Sequence, residues 1–269
     1  MSVFQAIVLG VVQGLTEFLP VSSSGHLVLF QHLFGLTEPN LFFDVSVHVG
    51  TLTAVVLFFR REIAAILVAL GRVPTRPRHE TAEDPDVWFA LLIIIGSVPT
   101  AILGLGFHNV ADRLFGSLIV VGCALIVTGT ILYLTRRVAS PEADRAGLTV
   151  RDALVVGTVQ GLAIIPGISR SGSTIAVGLF LGKSRETAAR YSFLLSIPAI
   201  LSAELLAVRD VTGGEVQFDG TVLAGTLAAF LTGYGALALL LYIIRQGRLY
   251  RFAPYCWLVG AIVLALGWR

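Results

Sequence analysis

The sequence predicts an all-α integral membrane protein, with six transmembrane helices plus two re-entrant helical hairpins in an inverted-topology repeat. Two observations predict this fold: the composition, and an internal repeat of proline-interrupted apolar segments. Of the 269 residues, 55% are hydrophobic and 13% are charged, which is more apolar surface than a soluble domain of this length buries. The formal net charge of +2 says little by itself, and no nucleic-acid partner is expected for this chain. The composition therefore argues against a soluble enzyme and indicates a multi-pass membrane chain.

Six segments are apolar and long enough to cross a hydrocarbon core of roughly 30 Å. They are predicted at residues 42–59, 87–106, 114–134, 186–208, 220–244 and 252–268. The connection 60–86 is predicted to be a loop, and its charged part, residues 72–86, is expected to be solvated.

Two further segments, 2–33 and 151–182, are interrupted by Pro20 and Pro166 in stretches rich in serine and glycine. Each half is too short to cross alone, so both segments are predicted to be re-entrant hairpins whose breaks are buried in protein or line a cavity. The two segments repeat each other, since Gly10, Gln13, Gly14 and Leu15 recur as Gly157, Gln160, Gly161 and Leu162. We therefore predict a single membrane domain, 1–269, with repeat one at 1–134 and repeat two at 151–269, each a hairpin plus three spans.

The placement of basic residues tests this topology, because cytoplasmic loops carry the excess of Lys and Arg. If residues 2–33 enter and leave on one side, most basic loop residues collect on the opposite side. That side receives Arg60, Arg61, Arg72, Arg76, Arg78, Arg136, Arg137, Arg145, Lys183, Arg185, Arg245, Arg248 and Arg251. The first hairpin is therefore predicted to enter from outside and the second from the cytoplasm. An odd number of spans separates them, which gives the two repeats opposite orientation.

An acidic residue lies inside the apolar run before the first break. Gln13 and Glu17 are four residues apart and share one face of a helix. A carboxylate inside a membrane is costly without a partner. Glu17 is therefore predicted to be a metal ligand or a base, and the alternative is a buried glutamate bonded to a neighbouring backbone amide.

Ser22, Ser23, Ser24 and His26 follow Pro20 directly. One serine is expected to cap the second half-helix, but capping does not explain all three. A histidine beside hydroxyls can activate a serine, or can act as nucleophile or acid. The alternative for His26 is a hydrogen-bonded core histidine.

The second break reads Pro-Gly-Ile-Ser-Arg-Ser-Gly-Ser-Thr from Pro166. It offers a helix N-terminus with free amides, several hydroxyls and the guanidinium of Arg170, which together suit an anion such as phosphate. The alternative is that Arg170 is the counter-ion of Glu17. Asp44 and His48 are a weaker signal, either supporting this site or forming an interfacial pair.

At these residues the chain closely resembles the undecaprenyl-pyrophosphate phosphatase family, also known as bacitracin-resistance proteins. The family's first signature is met at residues 13–17 and 20–26, and its second is met in full at residues 166–174. The resemblance runs over essentially the whole chain. Two signatures met in order make a more specific match than one short motif.

The resemblance implies a membrane enzyme that removes the terminal phosphate of undecaprenyl pyrophosphate, recycling the lipid carrier of cell-wall synthesis with a divalent metal, Mg²⁺ or Ca²⁺. It implies the bacterial cytoplasmic (inner) membrane, with the active site open to the outer face, and a homodimer is a further expectation. It carries functional roles over to Glu17, Ser23, His26, Arg170 and Thr174.

The predicted mechanism divides the chemistry between the two breaks. Arg170 and neighbouring amides hold the pyrophosphate, together with the hydroxyls of Ser22, Ser169, Ser171, Ser173 and Thr174. Ser23 or His26 attacks the terminal phosphorus, or His26 activates water. Glu17 positions His26 or binds the metal with Gln13. Many members of the family have Glu at position 13, and a neutral amide is a poorer ligand for a hard cation.

A transporter or flippase of an anionic prenyl-phosphate lipid is the alternative function, because inverted repeats with broken helices are typical of transporters. A passive channel fits less well, since a deep arginine beside a carboxylate would obstruct ions. Phosphate release in detergent separates the enzyme from the transporter.

Overall fold

The computed structural model describes residues 1–36, 41–75, 77–107, 114, 117–138, 147–211 and 219–267. All regular secondary structure in these residues is helical, which confirms the all-α prediction. The α-helices are α1 (Val3–Phe18), α2 (Ser23–Leu33), α3 (Leu41–Phe58), α4 (Arg60–Arg72), α5 (Arg78–Glu83), α6 (Pro85–Phe107), α7 (Leu118–Leu134), α8 (Val150–Leu162), α9 (Arg170–Phe180), α10 (Arg185–Val211), α11 (Gly220–Arg245) and α12 (Ala253–Gly267).

The first proline-interrupted segment folds into two helices that reverse direction. Helix α1 begins at a capping box centred on Ser2. It ends just before Pro20, because the residue that precedes a proline favours extended backbone. Helix α2 then returns beside α1, so that Leu27 packs with Ala6 and Leu9. The segment is therefore a helical hairpin, as predicted.

The second proline-interrupted segment reverses direction in the same way. Helix α8 begins at a capping box formed by Thr149 and Asp152. After α9, the ammonium group of Lys183 lies 2.8 Å from the Asp152 carboxylate and donates a hydrogen bond of 2.6 Å to the carbonyl of Gly147. The end of this hairpin is thus held against its own beginning.

Glycines set the close packing of the helices that begin the two hairpins. Helix α1 packs along α11 and helix α8 packs along α6. A side chain at Gly10 would overlap the carbonyl oxygen of Gly225, and one at Gly157 would overlap that of Gly96. Gly10 and Gly157 hold matching positions in the internal repeat, so the repeated glycines serve the same packing purpose.

Five described helices are long and apolar enough to cross a membrane: Pro85–Phe107, Leu118–Arg137, Arg185–Ala207, Gly220–Arg245 and Leu249–Gly267. They agree with five of the six predicted spans. The remaining prediction, at residues 42–59, coincides with α3. Its apolar part, Phe42–Phe58, is shorter than the other five, about 25 Å at 1.5 Å per residue.

The prediction of a loop at residues 60–86 was wrong. Most of this stretch is helical, in α4, a short 3₁₀ turn at Val73–Thr75, and α5. Helix α4 buries Ile66 and Ala69, three residues apart, and exposes its arginines. The basic residues in this stretch suggested a solvated loop, and the helical spacing of the apolar residues between them was not recognised.

Replacing Gly157 with alanine should destabilise the fold. The added methyl group meets backbone of α6, which cannot move aside as a side chain can, so we expect a loss of about 1–3 kcal/mol. Gly104→Ala is the matched control, because no atom lies within 4 Å of the position its methyl group would take in α6. Thermal unfolding in detergent measures both variants, and equal midpoints would contradict the packing described here.

Candidate active site

The two breaks meet in the structure. The backbone amide of Gly167 donates a hydrogen bond of 3.1 Å to Ser22 Oγ, and Ser171 Oγ donates one of 2.8 Å to the carbonyl of Phe18. Ser22 is the N-cap of α2 and has a φ of +71°, in the left-handed region that non-glycine residues rarely adopt. The strained turn of one hairpin is therefore bonded directly to the turn of the other.

Glu17 lies at the centre of the polar residues around this junction. Its Oε1 accepts a hydrogen bond from the guanidinium of Arg170, which forms an ion pair between α1 and α9. Its Oε2 accepts hydrogen bonds from Ser23 Oγ at 2.7 Å and from Gln13 Nε2 at 3.0 Å. His48 Nε2 lies 3.9 Å from the same oxygen. Of the two alternatives for Arg170, the structure therefore contains the counter-ion pair with Glu17.

His26 lies beside this cluster without a hydrogen bond to Ser23. Its Nδ1 is 2.8 Å from the main-chain carbonyl oxygen of Ser22, and its Nε2 is 2.7 Å from the hydroxyl of Tyr255. The rings of His26 and Tyr255 are stacked, with centroids 5.7 Å apart. Both ring nitrogens are occupied, and the side chain that accepts the hydrogen bond of Ser23 Oγ is Glu17.

The hydroxyls of the second break are buried. Ser169 caps α9 by accepting a hydrogen bond from the amide of Gly172, and its own amide donates to Thr128 Oγ1 on α7. Thr174 Oγ1 donates to the carbonyl of Arg170 and lies 2.6 Å from the hydroxyl of Ser192. These side chains, like Ser171, hold the turn that presents the guanidinium of Arg170.

Ser173 differs from the other hydroxyls. Its side chain is almost fully buried, and its Oγ has no hydrogen-bond partner in the part of the chain that the structure describes. It therefore retains an unused polar atom in the first turn of α9.

Exposure at the junction is uneven. Glu17, Ser22 and His26 are buried, whereas Ser23 and Arg170 are partly exposed. The side chain of Arg170 is 18% exposed. The hydroxyl and the guanidinium are thus the groups on either side of Glu17 that an incoming molecule can reach.

The residues predicted to bind a metal are Gln13 and Glu17. Gln13 is fully buried and its Oε1 has no hydrogen-bond partner in the described residues. Those residues contain no group of three or more His, Cys, Asp or Glu side chains placed to hold a metal ion. Both predicted ligands supply oxygen, the donor that Mg²⁺ and Ca²⁺ prefer, but they are too few to complete a shell.

Sequence reasoning missed Tyr255, Thr128 and Ser192, which reach the junction from α12, α7 and α10. Ser192 lies in the stretch 184–198, which also resembles the family, whereas no motif surrounds Tyr255 or Thr128. The Asp44–His48 pair takes an unexpected form, because His48 Nδ1 contacts the main-chain carbonyl of Asp44 while the Asp44 carboxylate accepts a hydrogen bond from Gln31.

The fold and the junction define a class of protein. It is a multi-pass helical membrane protein in which two helical hairpins meet at an ion pair between a buried glutamate and a partly exposed arginine, surrounded by hydroxyls. The hydroxyl on one side of the acid and the guanidinium on the other suit a reaction at a phosphate group.

Comparison with known proteins identifies the family. A family model described as bacitracin resistance protein BacA matches residues 6–262. A protein of Desulfosudis oleivorans named undecaprenyl-diphosphatase is 54% identical over 275 residues, which cover 100% of both chains. Proteins with the same name from Desulforapulum autotrophicum and Desulfatibacillum aliphaticivorans are 53% and 51% identical, over 99% and 97% of each chain. The chain belongs to the bacitracin resistance protein BacA family.

Proposed function

We propose that this protein hydrolyses undecaprenyl pyrophosphate to undecaprenyl phosphate and inorganic phosphate, and so recycles the lipid carrier of peptidoglycan synthesis. The relatives that bear the name undecaprenyl-diphosphatase align with it from end to end, which supports this activity. The observation that carries the proposal is the position of Glu17, which accepts hydrogen bonds from Ser23 on one oxygen and from Arg170 on the other.

Arg170 is the proposed anchor for the pyrophosphate. It is the first residue of α9, and a helix N-terminus and a guanidinium both favour an anion. Ser173, whose Oγ has no hydrogen-bond partner in the described residues, remains a proposed contact. The hydroxyls of the other four residues already bond within the turns, so we assign them to positioning Arg170 rather than to direct binding: Ser22, Ser169, Ser171 and Thr174.

Ser23 is the proposed nucleophile and Glu17 its base. Ser23 Oγ attacks the terminal phosphorus and its proton passes to Glu17 Oε2, 2.7 Å away. The P–O bond to the bridging oxygen breaks, and undecaprenyl phosphate leaves with the bonding electron pair. Water then hydrolyses the phosphoserine and releases phosphate. His26, which is bonded to the Ser22 carbonyl, is proposed to support this step rather than to attack.

A divalent metal, Mg²⁺ or Ca²⁺, is a proposed cofactor. Glu17 and the unpartnered Oε1 of Gln13 would hold it, and pyrophosphate oxygens and water would complete its shell, as is usual for Mg²⁺. When bound, the ion would neutralise charge on the phosphate oxygens.

The membrane arrangement is also a proposal. Six spans, with two re-entrant hairpins in an inverted repeat, are supported by the matched packing of α1 with α11 and α8 with α6. With the basic ends of the spans in the cytoplasm, the first hairpin would enter from the outer face of the inner membrane, and the site would open there. Homodimer formation stays a prediction.

Phosphate release should depend on Arg170. Arg170→Lys retains a charge but loses the planar donor fork, and Arg170→Ala loses both, so we expect falls of at least about tenfold and about a thousandfold. The measurement is phosphate released from undecaprenyl pyrophosphate by purified protein in detergent, where transport has no meaning.

Arg245→Ala is the control for these two variants, because Arg245 is an exposed arginine at the end of α11. Circular dichroism and thermal unfolding identify variants that fail to fold. Near-normal phosphate release by folded Arg170→Ala would remove Arg170 from the site, and no release by the unmodified protein would overturn the proposed function.

Ser23→Ala should abolish turnover, with a loss of at least about a thousandfold, because no other hydroxyl bonds to Glu17 Oε2 in the described residues. Ser24→Ala is the matched control and should remain active. Substrate labelled in the terminal phosphate should label the unmodified protein at an acid-stable phosphoserine. An acid-labile phosphohistidine, or a label that persists in Ser23→Ala, would reject Ser23 as nucleophile.

Chelation should lower phosphate release, and added Mg²⁺ or Ca²⁺ should restore it. Gln13→Glu adds a second carboxylate, so the metal concentration needed for half-maximal release should fall roughly tenfold, equivalent to about 1.4 kcal/mol. Gln160→Glu is the control, because Gln160 holds the matching position in the second repeat and lies away from Glu17. An unchanged requirement in Gln13→Glu would exclude position 13 as a ligand.

A further inference from the structure

Tyr255 contacts the junction from a helix outside both hairpins. It lies in the first turn of α12, and its hydroxyl is 2.7 Å from His26 Nε2. The two rings are nearly parallel, at 7°. A hydrogen bond and a ring stack between the same two side chains fix the orientation of His26.

The hydrogen bonds of His26 determine where its protons lie. Nδ1 faces the main-chain carbonyl of Ser22, which can only accept, so Nδ1 carries a hydrogen. In the neutral ring Nε2 then has no hydrogen, and its lone pair accepts a hydrogen bond from the hydroxyl of Tyr255. Any proton that His26 gains or loses without breaking its bond to Ser22 must pass through Nε2, toward Tyr255.

The two partners differ in their access to the surroundings of the protein. His26 is 4% exposed, whereas Tyr255 is 44% exposed on a helix that is a candidate membrane span. A hydroxyl can accept one proton while it donates another. The Tyr255 oxygen can therefore pass a proton between the buried imidazole and a water molecule that reaches it.

We infer that Tyr255 is a positioning residue that acts through His26. It holds the His26 ring in the Nδ1–H form and passes protons between Nε2 and water that reaches the phenolic oxygen. The inference rests on the proposed function only in giving His26 a part in the reaction. In the exchange, Nε2 takes the hydroxyl proton of Tyr255 while the phenolic oxygen takes a proton from water. The reverse transfer returns the proton, and no tyrosinate is formed.

Tyr255→Phe is the decisive variant, because it retains the stacked ring and removes only the hydroxyl. We expect kcat for phosphate release to fall about tenfold to a hundredfold with KM nearly unchanged, the size of a general acid–base contribution. In protein with ¹⁵N-labelled histidine, the Nε2 resonance of His26 should move toward the value of an unbonded nitrogen. Tyr133→Phe is the control. Tyr133 is a partly exposed tyrosine of α7, and its ring packs on Trp257, which lies in α12 as Tyr255 does.

The outcomes separate the inference from the function on which it rests. An unchanged kcat and an unchanged His26 resonance in Tyr255→Phe would overturn the inference while leaving the phosphatase activity standing. A loss of activity in Tyr255→Ala together with normal activity in Tyr255→Phe would reduce Tyr255 to a packing residue and would also overturn it. If the unmodified protein released no phosphate, the proposed function would fail. The Nε2 resonance of His26 would still test the hydrogen bond between His26 and Tyr255.

Discussion

The ion pair between Glu17 and Arg170 is the constraint around which the rest of this structure is arranged. Either charge alone would be costly within a membrane protein, and removing one partner of a buried pair typically costs about 3–5 kcal/mol. Because Glu17 lies on α1 and Arg170 on α9, satisfying both charges requires the two breaks to meet. The bonds from Gly167 to Ser22 and from Ser171 to Phe18 then fix how they meet.

Close helix packing brings these charges within reach of each other. Helices α1 and α8 approach α11 and α6 backbone to backbone, which is possible because Gly10 and Gly157 have no side chains. Without a strong hydrophobic force between helices in lipid, such contacts and hydrogen bonds between helices supply much of the stability. The same residues that build the fold therefore hold the reactive groups rigidly, as phosphoryl transfer requires.

The sequence predicted much of this arrangement because the informative residues lie close to the breaks. Pro20 ends α1 through a local rule, Pro166 lies in the turn after α8, and the serines that follow cap the next helices, so both hairpins could be inferred. The pairing of Arg170 with Glu17 could be considered from the cost of buried charge alone, but the sequence could not decide between that pair and a bound phosphate.

What the sequence did not predict depends on contacts between distant helices. Tyr255 stands in an apolar run beside a tryptophan, as aromatic residues at a membrane interface commonly do, and only the packing of α12 brings it to His26. Thr128 was missed for the same reason, since it is one of two threonines in the apolar helix α7. Helix α4 was missed because its charged residues indicated a loop, and its helical spacing of apolar residues extends over only a short segment.

The pair also shapes the proposed reaction, because Glu17 cannot be at once the full counter-ion of Arg170 and a strong base. Pyrophosphate oxygens offer the guanidinium a more highly charged partner than one carboxylate does. In the proposed reaction, the pyrophosphate oxygens therefore compete with Glu17 Oε1 for the guanidinium, and the carboxylate is released from its ion pair when the substrate binds. Ser23 already donates to the other oxygen of Glu17, so no rearrangement is needed before the proton moves. In the proposed reaction, substrate binding thus frees Glu17 to act as the base. Without a phosphate in the site, Glu17 stays paired with Arg170 and Ser23 is not activated.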